Sequence, residues 1–156
     1  MIREFQAGDM GWVICQHGEI YSNEFGFKEY FERDIVGKAQ ALYLNQDEFT
    51  RFWLYLHEGE RAGSIIISRQ APDVAFINFV IVHPDHRSRG IARELMNAVL
   101  AHARDYKFPR VRLETFDCLK NARKLYADLG FAVVESTSEY ERYGVVVQRE
   151  FWELAL

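Results

Sequence analysis

From Ile77 to Phe131 the chain reads as a strand, an arginine-glycine turn, an amphipathic helix, a second strand and then the run NARKLYADLGF. That order constrains the fold more than any other feature, because alternating strands and helices must bury the helix stripes on the faces of one sheet. Phe79 to Val82 is continuously apolar, as a strand covered on both faces should be, and Pro84 ends it. Ile91, Leu95, Met96, Val99, Leu100 and Ala103 fall on one stripe of a helix that runs to about Tyr106 and stops before Pro109. Val111 to Thr115 is the next strand. Ala122, Leu125, Tyr126 and Leu129 mark another helix, closed by Gly130 where a left-handed residue is wanted. Phe131 to Val134 and Gln148 to Leu156 are further strands.

Upstream, Ile2 to Phe5 alternates as a short strand, and Gln6 to Asp9 forms a turn with Asp9 as a helix cap. Helical spacing then holds from Met10 to about Tyr21 and from Phe27 to about Leu44, with Gly26 between. Phe52 to Leu56 and Ala62 to Ser68 flank His57-Glu58-Gly59-Glu60, the pattern of a hairpin. Val74 opens the strand that ends at Val82. A run of strands followed by strand-helix alternation gives an α/β domain with a mixed sheet and helices on its faces, and such sheets bind ligands beyond strand C-terminal ends.

The 156 residues, 49% of them apolar and 15% aromatic, are sufficient for a single core, so one domain is expected over residues 1–156. A net charge of -4 argues against a nucleic-acid partner, and any phosphate site must be local. Cys15 and Cys118 form no disulfide framework and suit a reducing compartment. No secretory signal or spanning segment is visible, so a cytoplasmic protein with no membrane partner is expected. His83 and His86 flank Asp85 without an evident third ligand, and no metal is expected.

The turn Arg87-Ser88-Arg89-Gly90-Ile91-Ala92 would aim unpaired N–H groups and two guanidiniums at one point, as a pyrophosphate requires at a helix N-terminus. Val82-His83-Pro84 followed by Arg87-x-x-Gly90-x-Ala92 resembles the acetyl-coenzyme A loop of the GNAT superfamily of N-acyltransferases. Asn121-Ala122-x-x-Leu125-Tyr126-x-x-x-Gly130-Phe131 resembles that family's second signature. GDMGW, HGEIYSNEFG and the closing FWEL further resemble acetyltransferase domains fused to MarR-type regulators. The family loop often carries glycine where this chain has Ser88 and Ala92; both still supply N–H groups, but a methyl at Ala92 narrows the approach of a phosphate.

The resemblance implies a mostly antiparallel sheet whose fourth and fifth strands splay apart, with the pantetheine arm in the gap beside Val80, Ile81 and Val82. It implies acetyl-CoA as co-substrate, held by Arg87, Ser88, Arg89, Gly90, Ile91, Ala92 and Asn121, and an amine of a small molecule or protein as acceptor. Tyr126 would be the general acid at the coenzyme sulfur. Asn121 would bind the arm or cap its helix.

Many family members place a glutamate base on the fourth strand; here Asn78 is the one polar side chain between Val74 and Val82. Glu24, Glu114 and Asp117 are the candidate bases, and His17 stands where an acceptor could touch it. Cys118, with no adjacent histidine, reads as a packed thiol rather than a nucleophile. Two readings stand: a direct-transfer acetyltransferase, or a non-catalytic acyl-CoA or small-ligand sensor acting with a regulator. A homodimer is compatible with both.

Overall fold

The computed structural model describes residues 1–156. Strands β1 (Ile2–Glu4), β2 (Arg51–His57), β3 (Glu60–Ala71), β4 (Val74–Val82), β5 (Arg110–Phe116), β6 (Ala132–Ser136) and β9 (Arg149–Ala155) form one sheet in the order β1-β2-β3-β4-β5-β9-β6. Every pairing is antiparallel except β4 with β5. Helices α1 (Asp9–Phe25) and α2 (Tyr30–Leu44) cover one face, and α3 (Ile91–Asp105) and α4 (Lys120–Asp128) the other. A separate hairpin, β7 (Tyr140–Arg142) with β8 (Val145–Val147), turns at Tyr143 and Gly144, both left-handed. Three-residue strands are too short to show a period, so the sequence carries no signal for this hairpin. No helix is long and apolar enough to cross a membrane.

The β2–β3 turn has Glu58 and Gly59 at φ 50° and 81°, the paired left-handed conformation that matches strand twist in two-residue hairpins. Asp9 is the first helical residue of α1 rather than its cap, which is Gly8. Its fully buried carboxylate accepts from Arg3 at 2.6 Å, Arg61 at 2.8 Å and the Gln6 N–H at 2.6 Å. A helix start with no other capping group thereby becomes a junction between β1, β3 and α1. Burial pushes the Asp9 carboxyl up, and the bonds from Arg3, Gln6 and Arg61 outweigh that and hold it below its ordinary value.

The site depends on a defect in β4. Ser64 pairs with Ile81 and Ile66 with Asn78, so between these pairs two residues of β4, Phe79 and Val80, oppose the single residue Ile65 of β3. The extra residue makes a bulge at Phe79, whose φ of 51° is a strained conformation for a bulky side chain. The Ser64 hydroxyl, fully buried, donates to the Phe79 carbonyl at 2.9 Å and satisfies it.

The bulge also reverses the strand's faces: Ala75, Ile77, Val80 and Val82 pack with α3, while Phe79 packs with α1 and α2. The run Phe79–Val82 is thus not uniformly buried; Val80 and Val82 are partly open to the α3 side. Parallel pairing with β5 covers only Val74↔Arg110 to Ile77↔Leu113 and stops where the bulge begins. Beyond it the two strands splay.

Gly63 lets α3 sit close over this region. A Cβ there would lie 2.9 Å from the Ile81 carbonyl oxygen and 3.2 Å from Ile91 Cγ2. Gly63→Ala is expected to lower unfolding free energy by about 1–3 kcal/mol in urea titration, because the contact is backbone and cannot swing away. Gly37→Ala on the open face of α2 should instead raise it by about 0.5–1 kcal/mol. Equal shifts at both positions would contradict this packing.

Candidate active site

Two spaces flank the splayed ends of β4 and β5. The outer one is a cleft of about 710 Å³ between β4, the segment leading into α3, α4 and the end of α1. The inner one is a more enclosed cavity of about 110 Å³ on the α1–α2 side. Tyr21, Val80, Leu119, Ala122 and Tyr126 line both, so the two spaces meet at Tyr126.

Outer cleft: after the 3-10 turn Pro84–His86, the chain is extended at Arg87, left-handed at Ser88 (φ 62°) and left-handed again at Gly90 (φ 76°), which caps α3. The N–H groups of Ser88 through Arg93 find no backbone acceptor. They form an anion-binding concavity at the positive end of a helix. Of the two positions where the family favours glycine, Ser88 is the one whose backbone asks for it, at a cost of roughly 1–2 kcal/mol. Ala92 lies in the first helical turn, where alanine is favourable.

Val80, Ile81, Val82, Arg87, Ser88, Gly90, Ile91, Ala92, Asn121 and Tyr126 all line the cleft. Arg89 does not: its guanidinium lies 3.0 Å from His57 Nε2, so the two guanidiniums do not converge as the sequence suggested. Arg87 instead pairs with Glu24, Nη2 to Oε2 at 2.8 Å with a second contact from Nη1 to Oε1. This fork holds the Glu24 carboxyl below its ordinary value. Asn121 is inside α4, whose cap is Leu119, so a capping role is removed.

Tyr126 is held from three sides. Its ring meets Trp152 and Phe131, each with centroids at 6.1 Å. Arg123, on the same helix, forks onto Glu150 of β9 at 2.9 and 3.1 Å, and the Glu150 side chain is only 6% exposed. Gly130, at φ 97°, and Phe131 close α4 with bonds to the Ala127 and Tyr126 carbonyls. The Tyr126 hydroxyl has no protein partner among the side-chain bonds, and burial alone raises its pKa. It is a neutral O–H donor facing both spaces.

Inner cavity: Glu114 enters from β5 and Asn78 from β4. Asn78 donates to Ser68 Oγ at 3.0 Å and to the Phe76 carbonyl at 3.2 Å, which leaves its oxygen free to accept. The Glu114 side chain is 19% exposed, and its nearest cations are Arg149 Nε at 3.7 Å and Lys38 Nζ at 4.0 Å, both beyond hydrogen-bond reach. Arg149 Nε is itself buried without a hydrogen-bond partner.

His17, buried, lies with Nδ1 2.8 Å from the Val13 carbonyl; since a carbonyl only accepts, Nδ1 carries the proton and Nε2 is bare in the neutral ring. Burial lowers its pKa to about 4, so it stays neutral. Asp117 lines neither space; its carboxylate accepts the Gln148 N–H at 2.9 Å. Cys118 borders the cleft, and burial pushes its thiol up, away from thiolate character. Sequence reasoning missed Lys38 as part of the site, because a lysine on an amphipathic helix carries no signal of what lies beneath it.

The pattern of the Acetyltransferase (GNAT) family matches residues 15–131, a span that holds the cleft, the inner cavity and Tyr126. The chain belongs to that family. It is 30% identical over 87 residues to the uncharacterized N-acetyltransferase YjgM of Escherichia coli K12, a match covering 54% of this chain; the chain spans about half the length (52%) of that relative.

Among solved structures it resembles a ribosomal-protein-alanine N-acetyltransferase from Brucella melitensis (TM-score 0.79, 16% identity, 100% of this chain and 99% of that one). It also resembles yncA from Salmonella typhimurium, solved with its cofactor acetyl-CoA (TM-score 0.74, 16% identity, 99% and 92%). These likenesses establish the single α/β domain with its splayed, mostly antiparallel sheet.

The Glu24–Arg87 fork gives a pH signature. A carboxyl depressed on folding contributes stability that is complete above its unfolded value, near 4.5, and is lost as pH falls through the folded value. Wild type should therefore lose more stability than Glu24→Gln between pH 7 and pH 3, as read by thermal unfolding. Parallel acid limbs would show that the fork contributes nothing.

Proposed function

We propose that the chain, as one domain over residues 1–156, transfers the acetyl group of acetyl-CoA directly to an amine, in the cytoplasm. The observation that carries this reading is the meeting of an anion-binding cleft and an enclosed polar-ended cavity at one buried, uncommitted hydroxyl, Tyr126. Bound acetyl-CoA would supply a thioester whose acyl carbon is open to attack. The N–H groups of Ser88 through Arg93, with Arg87, suit its pyrophosphate, and Val80, Ile81, Val82 and Asn121 flank the arm. Arg89, turned to His57, is assigned the outer rim.

Glu114 is the base in this reading. Glu24 is already engaged by Arg87 and Asp117 by the Gln148 N–H, whereas Glu114 has no hydrogen-bond donor of its own. The acceptor ammonium gives up one proton to become a nucleophile and a second once the N–C bond forms. As the C–S bond breaks, Tyr126 donates a proton to the leaving thiolate and is reprotonated from solvent. The products are an N-acetyl amine, one coenzyme thiol and one net proton. The likeness of GDMGW and FWEL supports grouping the chain with acetyltransferase domains fused to MarR-type regulators.

Tyr126→Phe should lower kcat for thiol release about 10²-fold while leaving coenzyme A affinity within twofold, since only the proton donor is lost. Gly90→Glu should abolish coenzyme binding in calorimetry with the fold retained in circular dichroism, by charge repulsion at the helix N-terminus and strain at φ 76°. Unchanged turnover in Tyr126→Phe would remove its role.

A further inference from the structure

The inner cavity carries information about the acceptor. Its charged lining consists of one cation and one anion, Lys38 and Glu114, held 4.0 Å apart and not hydrogen-bonded to each other. A carboxylate four-fifths buried without a hydrogen bond is costly, and Asn78, whose oxygen is free, lines the same cavity from the neighbouring strand, one residue past the last Ile77↔Leu113 pair as Glu114 is. Two acceptors side by side suit an ammonium group. Lys38 is 51% exposed and stands at the cavity edge, where it suits an anion entering behind that ammonium.

Phe31, Ile35, Phe79 and Phe116 form an apolar part of the wall, which also carries His17, Thr115 and the two tyrosines Tyr21 and Tyr126. The cavity, at about 110 Å³, is smaller than the ~150 Å³ that accommodates benzene in an apolar protein interior. It is also well below the ~300 Å³ lower bound of drug-sized ligand sites. Only an aliphatic branch fits inside it, with the ligand's charged groups at the mouth, where Lys38 stands 4.0 Å from Glu114; an indole or an aminosugar does not fit.

Resting on the acetyltransferase reading above, we infer that the acceptor is a small free α-amino acid with an aliphatic side chain. Its ammonium lies on Glu114 and Asn78, its carboxylate on Lys38 and its branch against Phe31, Ile35 and Phe79. The adjacency of the two charges in an α-amino acid matches the close spacing of Lys38 and Glu114. Acetylation removes the ammonium but leaves the carboxylate, so the product loses its hold on Glu114 and keeps only the half-exposed Lys38 contact, which favours release. A peptide N-terminus, lacking the α-carboxylate, forfeits Lys38.

The test is calorimetric titration of coenzyme A-saturated protein with L-valine, L-valinamide and isobutylamine, in parallel with thiol release from acetyl-CoA on the same three amines. L-Valine should bind about five- to tenfold more tightly than either analogue. Lys38→Ala, on a half-exposed helix face, should erase that preference by weakening valine alone, and Glu114→Gln should weaken all three. Equal affinity for valine and valinamide in wild type, an equal loss for all three in Lys38→Ala, or no valine binding at millimolar concentration would overturn the inference. Valine bound as described without thiol release would instead refute the transfer reading and leave the amino-acid site standing. Thiol release on isobutylamine but not valine would do the reverse.

Discussion

One extra residue in β4 governs the architecture of the site. Phe79 in a left-handed conformation halts the ladder to β5 at Ile77 and Leu113, and it turns Val80 and Val82 from the α1–α2 layer to the α3 layer. Had the pleat continued in phase, the two strands would have closed and left no gap. The strain is stabilised locally: the Ser64 hydroxyl takes the Phe79 carbonyl, and the Phe79 ring packs on His17 at 5.2 Å between centroids. An unfavourable backbone angle is thus the source of both cavities, and α3 can lie close over the opened strand because Gly63 has no Cβ.

Charge is distributed unevenly around that gap. In the outer cleft, positive potential arises from backbone N–H groups with Arg87, Arg93 and Lys120, and Glu24 is the one opposing carboxylate. In the inner cavity, Glu114 has loosely placed cations and no tight partner. Elsewhere, buried carboxylates are fully engaged: Asp9 by two arginines and Glu150 by Arg123 and the Trp152 indole. Carboxylates with tight forks brace elements against one another, and the loosely held one lies in a cavity.

Much of this was legible in the sequence. The helix stripe from Ile91 to Ala103, the hairpin around Gly59 and the closure at Gly130 are local patterns, and each lies where its period or turn chemistry put it. The turn from Arg87 to Ala92 was legible for the same reason, being contiguous, although the cleft it borders also takes walls from α1 and α4. What escaped notice was non-local. Arg89 faces His57 on a neighbouring turn, Asp9 serves two strands rather than its own helix, and Asp117 serves the Gln148 backbone. Lys38 meets Glu114 only because α2 crosses β5, and no spacing in the chain encodes that crossing. The bulge was invisible because Phe79 is an ordinary strand residue by type.

The β7–β8 hairpin packs behind the inner cavity without belonging to the seven-stranded sheet. Tyr143 at its tip packs on Phe27, Phe31 and Phe116, its hydroxyl donates to Asp34 at 2.6 Å, and its carbonyl accepts from the Lys28 N–H at 2.8 Å. It therefore buttresses two cavity walls, Phe31 and Phe116, from behind, and Val145 and Val147 belong to the same packed cluster as Tyr21, Phe25 and Leu119 at the cleft's edge. Changes in the length or sequence of residues 137–148 would reshape the inner cavity while leaving every strand pairing of the seven-stranded sheet in place. A lineage carrying this fold could vary the shape of that cavity through one small hairpin.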